Sequence, residues 1–213
     1  MSELVEISLR SIYVNCLATF IASSIGVPLA LLLDVARPRF RGGIILIFQT
    51  LVGIPPVLVG LILWLLFSRS GPLGGLNLLF TTTAMIVAQV LIALPIIITM
   101  SHSHFVRVDD KIKLLVLTLG ANKLQLMGAI LRESLSGVLS AILTAFGRIA
   151  GEVGAVMIVG GNILGRTRVL TTSIVLYTNT GQFEKAILAG VILLCIAFTV
   201  NFVANLLSKR SKT

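Results

Sequence analysis

The sequence predicts an all-α integral membrane protein of about five transmembrane helices, with its N-terminus outside and its C-terminus inside. Three observations carry this. Hydrophobic residues make up 56% of the 213 positions and charged residues only 12%, whereas a soluble domain carries about 25% charged residues. Mean hydropathy is +1.05. Five apolar runs each approach the ~20 residues that cross a hydrocarbon core. Finally, lysine and arginine are distributed unevenly between the loops on the two sides.

The first span covers residues 11–33, with Gly26 and Pro28 placed to bend it. Ahead of it, Glu3 and Glu6 precede the first basic residue. A cleaved signal peptide would start positive and carry a shorter apolar run, so none is expected here. Arg37 to Arg41 form a short basic loop. The second span, 43–67, holds Pro55 and Pro56 near its middle. Proline lacks the N–H that a helix interior needs, so helical bonding is interrupted there. A break at membrane depth survives only against protein or a water-filled path, and a packed kink and a path-lining element are both open readings. Residues 69–80 are a turn-rich loop. The third span, 82–100, contains Pro95.

A charged surface segment follows. Two amphipathic runs, 112–119 and 122–131, are separated by Gly120-Ala121-Asn122. Glycine takes positive φ cheaply and asparagine caps helices well, so the spacing predicts helix, tight turn, helix at a membrane surface. Leu124, Met127, Ile130 and Leu131 are expected on one helical face, packed on the spans, on lipid or on a partner. The fourth span is 134–159. A glycine-rich loop then encloses an apolar stretch, 170–178, read as a short interfacial or re-entrant helix. The last span is 185–207, with a basic tail.

The loops after spans one and three, with the tail, carry Arg37, Arg39, Arg41, Arg107, Lys111, Lys113, Lys123, Arg132, Lys209, Arg210 and Lys212, which is eleven; the other side carries Arg10, Arg69, Arg166, Arg168 and Lys185, which is five. The richer side is cytoplasmic. The formal charge of +9 is thus a mark of orientation, and nucleic acid is not expected as a partner.

Arg148 and Glu152 stand four apart within the fourth span, on one helical face and able to pair. An arginine at mid-membrane costs about 2.5–3.5 kcal/mol on insertion scales and faces protein or water. Two readings stay open, a structural ion pair and a charge lining an anion path. Gly147, Gly151 and Gly154 make a small-residue face beside them, suited to close helix packing. Arg166 and Arg168 are either anion or protein contacts or solvated loop charges. His102 and His104 lack companions at metal-ligand spacing and read as interface histidines. Asp109 and Asp110 favour the positive end of the surface helix. Cys16 and Cys195 lie in apolar runs and read as small hydrophobes. The phosphate-binding pattern Gly-x4-Gly-Lys-Ser/Thr is absent, and Gly160 to Gly165 lacks its lysine.

The stretch 114–137, LLVLTLGANKLQLMGAILRESLSG, resembles the cytoplasmic coupling loop of ABC-importer permeases. Gly120 and Ala121 sit where that loop has its central Gly-Ala, and Glu133 and Gly137 keep their places. Leu114, Leu115 and Val116 replace the usual Glu-Ala-Ala, and Arg132 replaces a usual proline. The segment FGRIAGEVGAVMIVGGNILGRTRVLTTSIVLYTNTGQFEKAI, with IPPVLVGLILWLLFSRSGPLG and AQVLIALPIII before it, is similar to the tungstate permeases of that family. Its Arg-x3-Glu-x-Gly core is also similar to the molybdate permeases. The resemblance covers about residues 15 to 207.

The resemblance implies a type I importer permease fold, like the molybdate and methionine permeases, as one transmembrane domain spanning 1–213 with a coupling segment at about 103–132. It implies a multi-pass plasma-membrane subunit that moves an oxyanion, tungstate first and molybdate or another small anion next. The partners implied are a second copy of the chain, two ABC ATPase subunits, an extracytoplasmic oxyanion-binding protein and membrane lipid. No cofactor is implied on this chain; ATP and magnesium belong to the ATPase, and the chain is not an enzyme. Leu119, Gly120, Ala121, Asn122, Lys123, Leu124 and Met127 are expected to meet the ATPase. Pro55, Pro56, Arg148 and Glu152 are candidates for the path, and Arg166 and Arg168 for binding-protein docking. An ATP-independent transporter would show more ionisable groups within spans and inverted repeats. An intramembrane enzyme would need a Ser–His pair or two aspartates inside them.

Overall fold

Helix α1, Ser2–Ala36, is 35 residues long and so reaches ~52 Å, well beyond a ~30 Å hydrocarbon core. It runs through Pro28 as one element, longer than the expected span 11–33. Its serine and threonine hydroxyls are locally satisfied. The hydroxyls of Ser8, Ser11, Thr19, Ser23 and Ser24 donate to carbonyls four residues back at 2.7–2.9 Å, so none demands a partner from lipid. The computed structural model describes residues 2–36 and 38–210, without the side chains of residues 2 and 204–210. Arg37 and Lys212, and the side chains of Lys209 and Arg210, which entered the charge count, lie outside the described residues.

The second expected span is two helices, α2 (Arg41–Val52) and α3 (Pro56–Phe67), bent by 98°. The cause lies in the two prolines. Ile54 precedes a proline and is pushed out of the helical region. Pro55 is extended at φ −61°, ψ 123°, and Pro56 takes the first helical position, where its missing N–H costs nothing. A 3-10 turn, Gly74–Leu76, leads to α4, Thr82–Val106. Thr81 Oγ1 caps α4 by accepting the Ala84 N–H at 3.3 Å, and α4 continues through Pro95.

The surface segment forms α5 (Asp110–Thr118) and α6 (Lys123–Glu133), and α7 (Leu135–Ala150) leaves α6 at 72°. The expected fourth span 134–159 is not continuous. Helix α7 ends at Ala150, and α8 (Gly154–Gly160) resumes after a three-residue interruption. Helix α9, Leu170–Asn179, occupies the apolar stretch of the last loop, and α10 is Phe183–Arg210. Among the described residues, helices α1, α4 and α10 are each long and apolar enough to cross a membrane, and the count is up to five if each bent pair is one span.

The most deeply buried of the long helices is α4. It lies along α1, and the wholly buried alanines Ala18, Ala22, Ala84, Ala88 and Ala93 belong to one core, small side chains that let helices approach closely. A Cβ on Gly26 would sit 3.1 Å from Ile97 Cγ2. A second core joins Ala30 and Leu31 of α1, Ile98 and Phe105 of α4, and Leu126 and Ile130 of α6, so the surface segment is packed onto the bundle. By contrast, α10 turns Ile187, Leu194 and Phe198 outward. One end of the molecule gathers Glu3, Arg10, Gly165 and Arg168; the other gathers Asp34, Arg41, His102 and Lys113. Basic residues assigned to opposite sides from their loops therefore fall at opposite ends.

Candidate functional site

The turn between α5 and α6 forms as its residues dictate. Gly120 has φ +83°. Its N–H donates to Leu117 O at 3.0 Å, and the Ala121 N–H reaches back to Val116 O at 3.3 Å. This pair of bonds is the Schellman closure of a helix C-terminus, which places glycine at the left-handed position. Asn122 then opens α6. Its Oδ1 accepts the Gln125 N–H at 2.9 Å, and Gln125 Oε1 accepts the Asn122 N–H at 2.8 Å, a reciprocal capping box. At the start of α5, Asp109 Oδ1 accepts the Lys111 N–H at 2.9 Å. Leu119 is 79% exposed and Leu124 77%, and Ala121 and Lys123 flank them at the tip. The packed face of α6 is the expected one at Met127, Ile130 and Leu131, but Leu126 takes the place of Leu124 on it. Leu126 and Ile130 are buried, Met127 and Leu131 are half-buried against the second core, and Leu124 points away. Leu114 and Leu115, each 60% exposed, extend the outward apolar surface along α5.

The second constellation surrounds the interruption of the fourth span. Arg148 Nη1 donates to Glu152 Oε2 at 2.9 Å, as the spacing predicts, but the two are not on one helix. Glu152 lies in the break, where its Oε1 accepts the N–H groups of Gly154 at 2.8 Å and Ala155 at 3.4 Å. The carboxylate thus satisfies the free donors at the start of α8. It is buried, whereas the Arg148 side chain is 43% exposed, and Gly147 and Gly151 beside it have nothing within 4 Å of an added Cβ. Pro55 and Pro56 are brought to the same place. A Cβ on Gly154 would lie 2.5 Å from Val57 Cγ2, and one on Gly60 would lie 2.8 Å from Ala155 Cα. The two broken helices therefore abut, with α3 pressed on α8. From α4, Gln89 Nε2 donates to Ile149 O at 3.4 Å, supporting the carbonyl end of α7.

Arg166 and Arg168 separate in role. Arg166 is exposed, but Arg168 Nη1 pairs with Glu3 Oε1 at 3.4 Å and its Nη2 donates to Asn162 O at 3.4 Å. Tyr177 Oη also donates to Glu3 at 3.3 Å, and burial, then the Glu3 carboxylate, raise its phenol above the usual range. Arg168 is therefore a tie between the last loop and α1. His102 Nε2 accepts from Arg41 Nε at 3.0 Å, and among the described residues no group of three His, Cys, Asp or Glu side chains could hold a metal.

Sequence reasoning missed one cluster. Asp34, in the last turn of α1, is buried and pairs with Lys113 Nζ at 3.0 Å and Arg41 Nη2 at 3.4 Å. Its signal was a lone carboxylate at the end of an apolar run, but which cations it meets is decided by packing.

Residues 26–213 match the family described as binding-protein-dependent transport system inner membrane component. The chain belongs to that family. The permease is 40% identical over 193 residues to the tungstate uptake system permease protein TupB of Peptoclostridium acidaminophilum, covering 91% of this chain and 85% of that one. It is 35% identical to a probable anion ABC transporter permease protein of Haloferax volcanii, covering 94% and 89%. Its fold is that of a chain of the MetNI methionine ABC transporter, solved in an inward-facing conformation, with a TM-score of 0.80, 21% identity, and 99% and 97% of the chains covered. The expected type I importer-permease fold is thus present. The permease is a multi-pass plasma-membrane transport subunit, not an enzyme, and works with an ATPase and a binding protein.

Proposed function

We propose that this permease carries tungstate inward across the plasma membrane. The supporting observation is the 40% identity to a tungstate uptake permease along nearly the whole chain. The broken-helix site suits this cargo. A tetrahedral oxyanion leaving water needs positive charge and N–H donors near the path, and Arg148 supplies an accessible guanidinium beside two helix breaks. Glu152 holds that guanidinium from one side and moderates its charge, so that a dianion is not held too tightly to leave.

Two copies of the chain enclose one path in this reading, with Arg148 and the open Gly147–Gly151 surface facing the partner copy. Two ATPase subunits, which bind ATP and magnesium, dock on the tip formed by Leu119 to Leu124. A tungstate-binding protein docks at the opposite end, where Arg166 is free to meet it, with the N-terminus on that outer side. The test is reconstitution of the permease, its ATPase and its binding protein in liposomes. Uptake of tungstate that requires ATP and all three components is expected. Uptake without ATP would overturn the importer reading, and preference for molybdate at equal concentration would overturn the cargo.

A further inference from the structure

The Asp34 cluster has no part in the path or in the exposed tip, yet it joins four elements. Asp34 is 2% exposed at the end of α1. Lys113 Nζ, from α5, donates both to its Oδ2 at 3.0 Å and to Phe105 O of α4 at 3.2 Å. Arg41, at the start of α2, meets Oδ1 at 3.4 Å and donates to His102 of α4. Lys113 is the one buried residue of α5. Beneath that helix lies a cavity of about 370 Å³, lined by Asp34, Lys113, Leu117, Leu126 and Ile130 among others. Helix α5 is therefore held to the bundle by this charged contact together with only two half-buried apolar side chains, Ile112 and Val116, beside an underpacked space.

A buried ion pair is a poor source of stability, because desolvation offsets its attraction, but it does fix one arrangement over others. We propose that Asp34 is the positioning residue through which the surface segment moves the bundle. By clamping Lys113, it makes α5 move with α1 and α4 when the tip is displaced. This rests on the reading of that segment as the ATPase-facing one. Without the clamp, α5 can shift over the cavity, and movement of the tip is dissipated there.

The experiment uses the complete complex of permease, ATPase and binding protein in liposomes. Asp34→Asn leaves Lys113 and Arg41 facing each other without their counter-ion. The double variant Asp34→Asn with Lys113→Met removes the buried Asp34–Lys113 pair and nearly keeps the volume, which protects assembly; Arg41, the second cation, is 23% exposed and keeps its bond to His102. Both are expected to co-purify with the ATPase and to hydrolyse ATP, while stimulation of hydrolysis by the tungstate-loaded binding protein falls about tenfold, in the usual range for coupling between sites. Asp34→Glu is expected to recover most of the stimulation. Native stimulation in the double variant would overturn the proposal and leave the cluster as scaffolding. Failure of the double variant to co-purify would also overturn it, making the cluster an assembly element. A separate arm, cross-linking Leu124→Cys to the ATPase with Asp34 intact, tests the underlying reading. Absence of that cross-link defeats the coupling assignment itself, whatever the Asp34 variants do.

Discussion

Arg148 and Glu152 should respond very differently to substitution, although they form one ion pair. Arg148→Gln removes a single bond of 2.9 Å from a side chain that is 43% exposed. An exposed pair contributes about 0.2–1 kcal/mol, and loss of one partner of a fully buried pair costs about 3–5 kcal/mol. Glu152 is 7% exposed but stays bonded to two backbone N–H groups, so stability should fall by an amount between these, about 1–2 kcal/mol. Glu152→Ala also removes the acceptor for two backbone N–H groups at 2.8 and 3.4 Å. Each bond to a charged acceptor contributes roughly 1.5–3 kcal/mol, and the longer one falls at or below the low end. The expected cost is about 3–5 kcal/mol, the range for breaking a buried charged contact. Glu152→Gln should lie between, since its amide oxygen can still accept from Gly154. Thermal unfolding of the detergent-purified permease measures the stabilities, and tungstate uptake measures the path. Arg148→Gln should assemble and transport at least about tenfold more slowly, a loss of ~1.4 kcal/mol in transition-state terms. Equal destabilisation by Arg148→Gln and Glu152→Ala would refute the capping argument. Full uptake by a well-assembled Arg148→Gln would refute the path argument and leave the pair as structure.

Two further substitutions test the helix contacts. Gly60→Ala places its Cβ 2.8 Å from Ala155 Cα and 3.2 Å from Ala155 O, backbone that cannot rotate aside; it should cost about 1–3 kcal/mol and lower the unfolding temperature, whereas Gly75→Ala, with nothing within 4 Å, should not. Gly120→Val forces a β-branched residue to φ +83°, costing at least about 1–2 kcal/mol; co-purification of the ATPase should drop while the apolar helices still insert.

Much of this was legible because the controlling interactions are local. Gly120-Ala121-Asn122 specifies its turn by backbone preference and one side-chain cap, and Pro55-Pro56 breaks a helix whatever surrounds it. The other break was hidden. Arg148-x3-Glu152 has the spacing of a continuous helix, and nothing in Gly151-Glu152-Val153 forbids one. The helix ends there because Glu152 turns its carboxylate onto the N–H groups of α8 and because α3 packs against Gly154 and Ala155. The outward aim of Leu124 was likewise misread, since Leu124, Met127, Ile130 and Leu131 all fit an apolar stripe. Only the position of α1 and α4 decides that Leu126 and Ile130 face them. Arg168 looked free in sequence because its partner, Glu3, is 165 residues away.

The two parts of the permease that matter most are far apart, and α4 touches both. Its Phe105 carbonyl accepts from Lys113 at the clamp, and its Gln89 amide supports Ile149 at the break in α7. Sixteen residues separate these positions, about 24 Å along a helix. Over that length α4 is a single element, packed on α1 through wholly buried alanines. A close-packed helix shifts as a body more readily than it deforms. Displacement of α5 would therefore arrive at Ile149 as a shift of α4, beside the interruption between α7 and α8. The bond that meets this shift, Gln89 to Ile149 at 3.4 Å, is long, and Gln89 Oε1 is buried with no partner. A side chain left half-satisfied at the junction between driving helix and broken helix is suited to exchanging one partner for another as the path changes state.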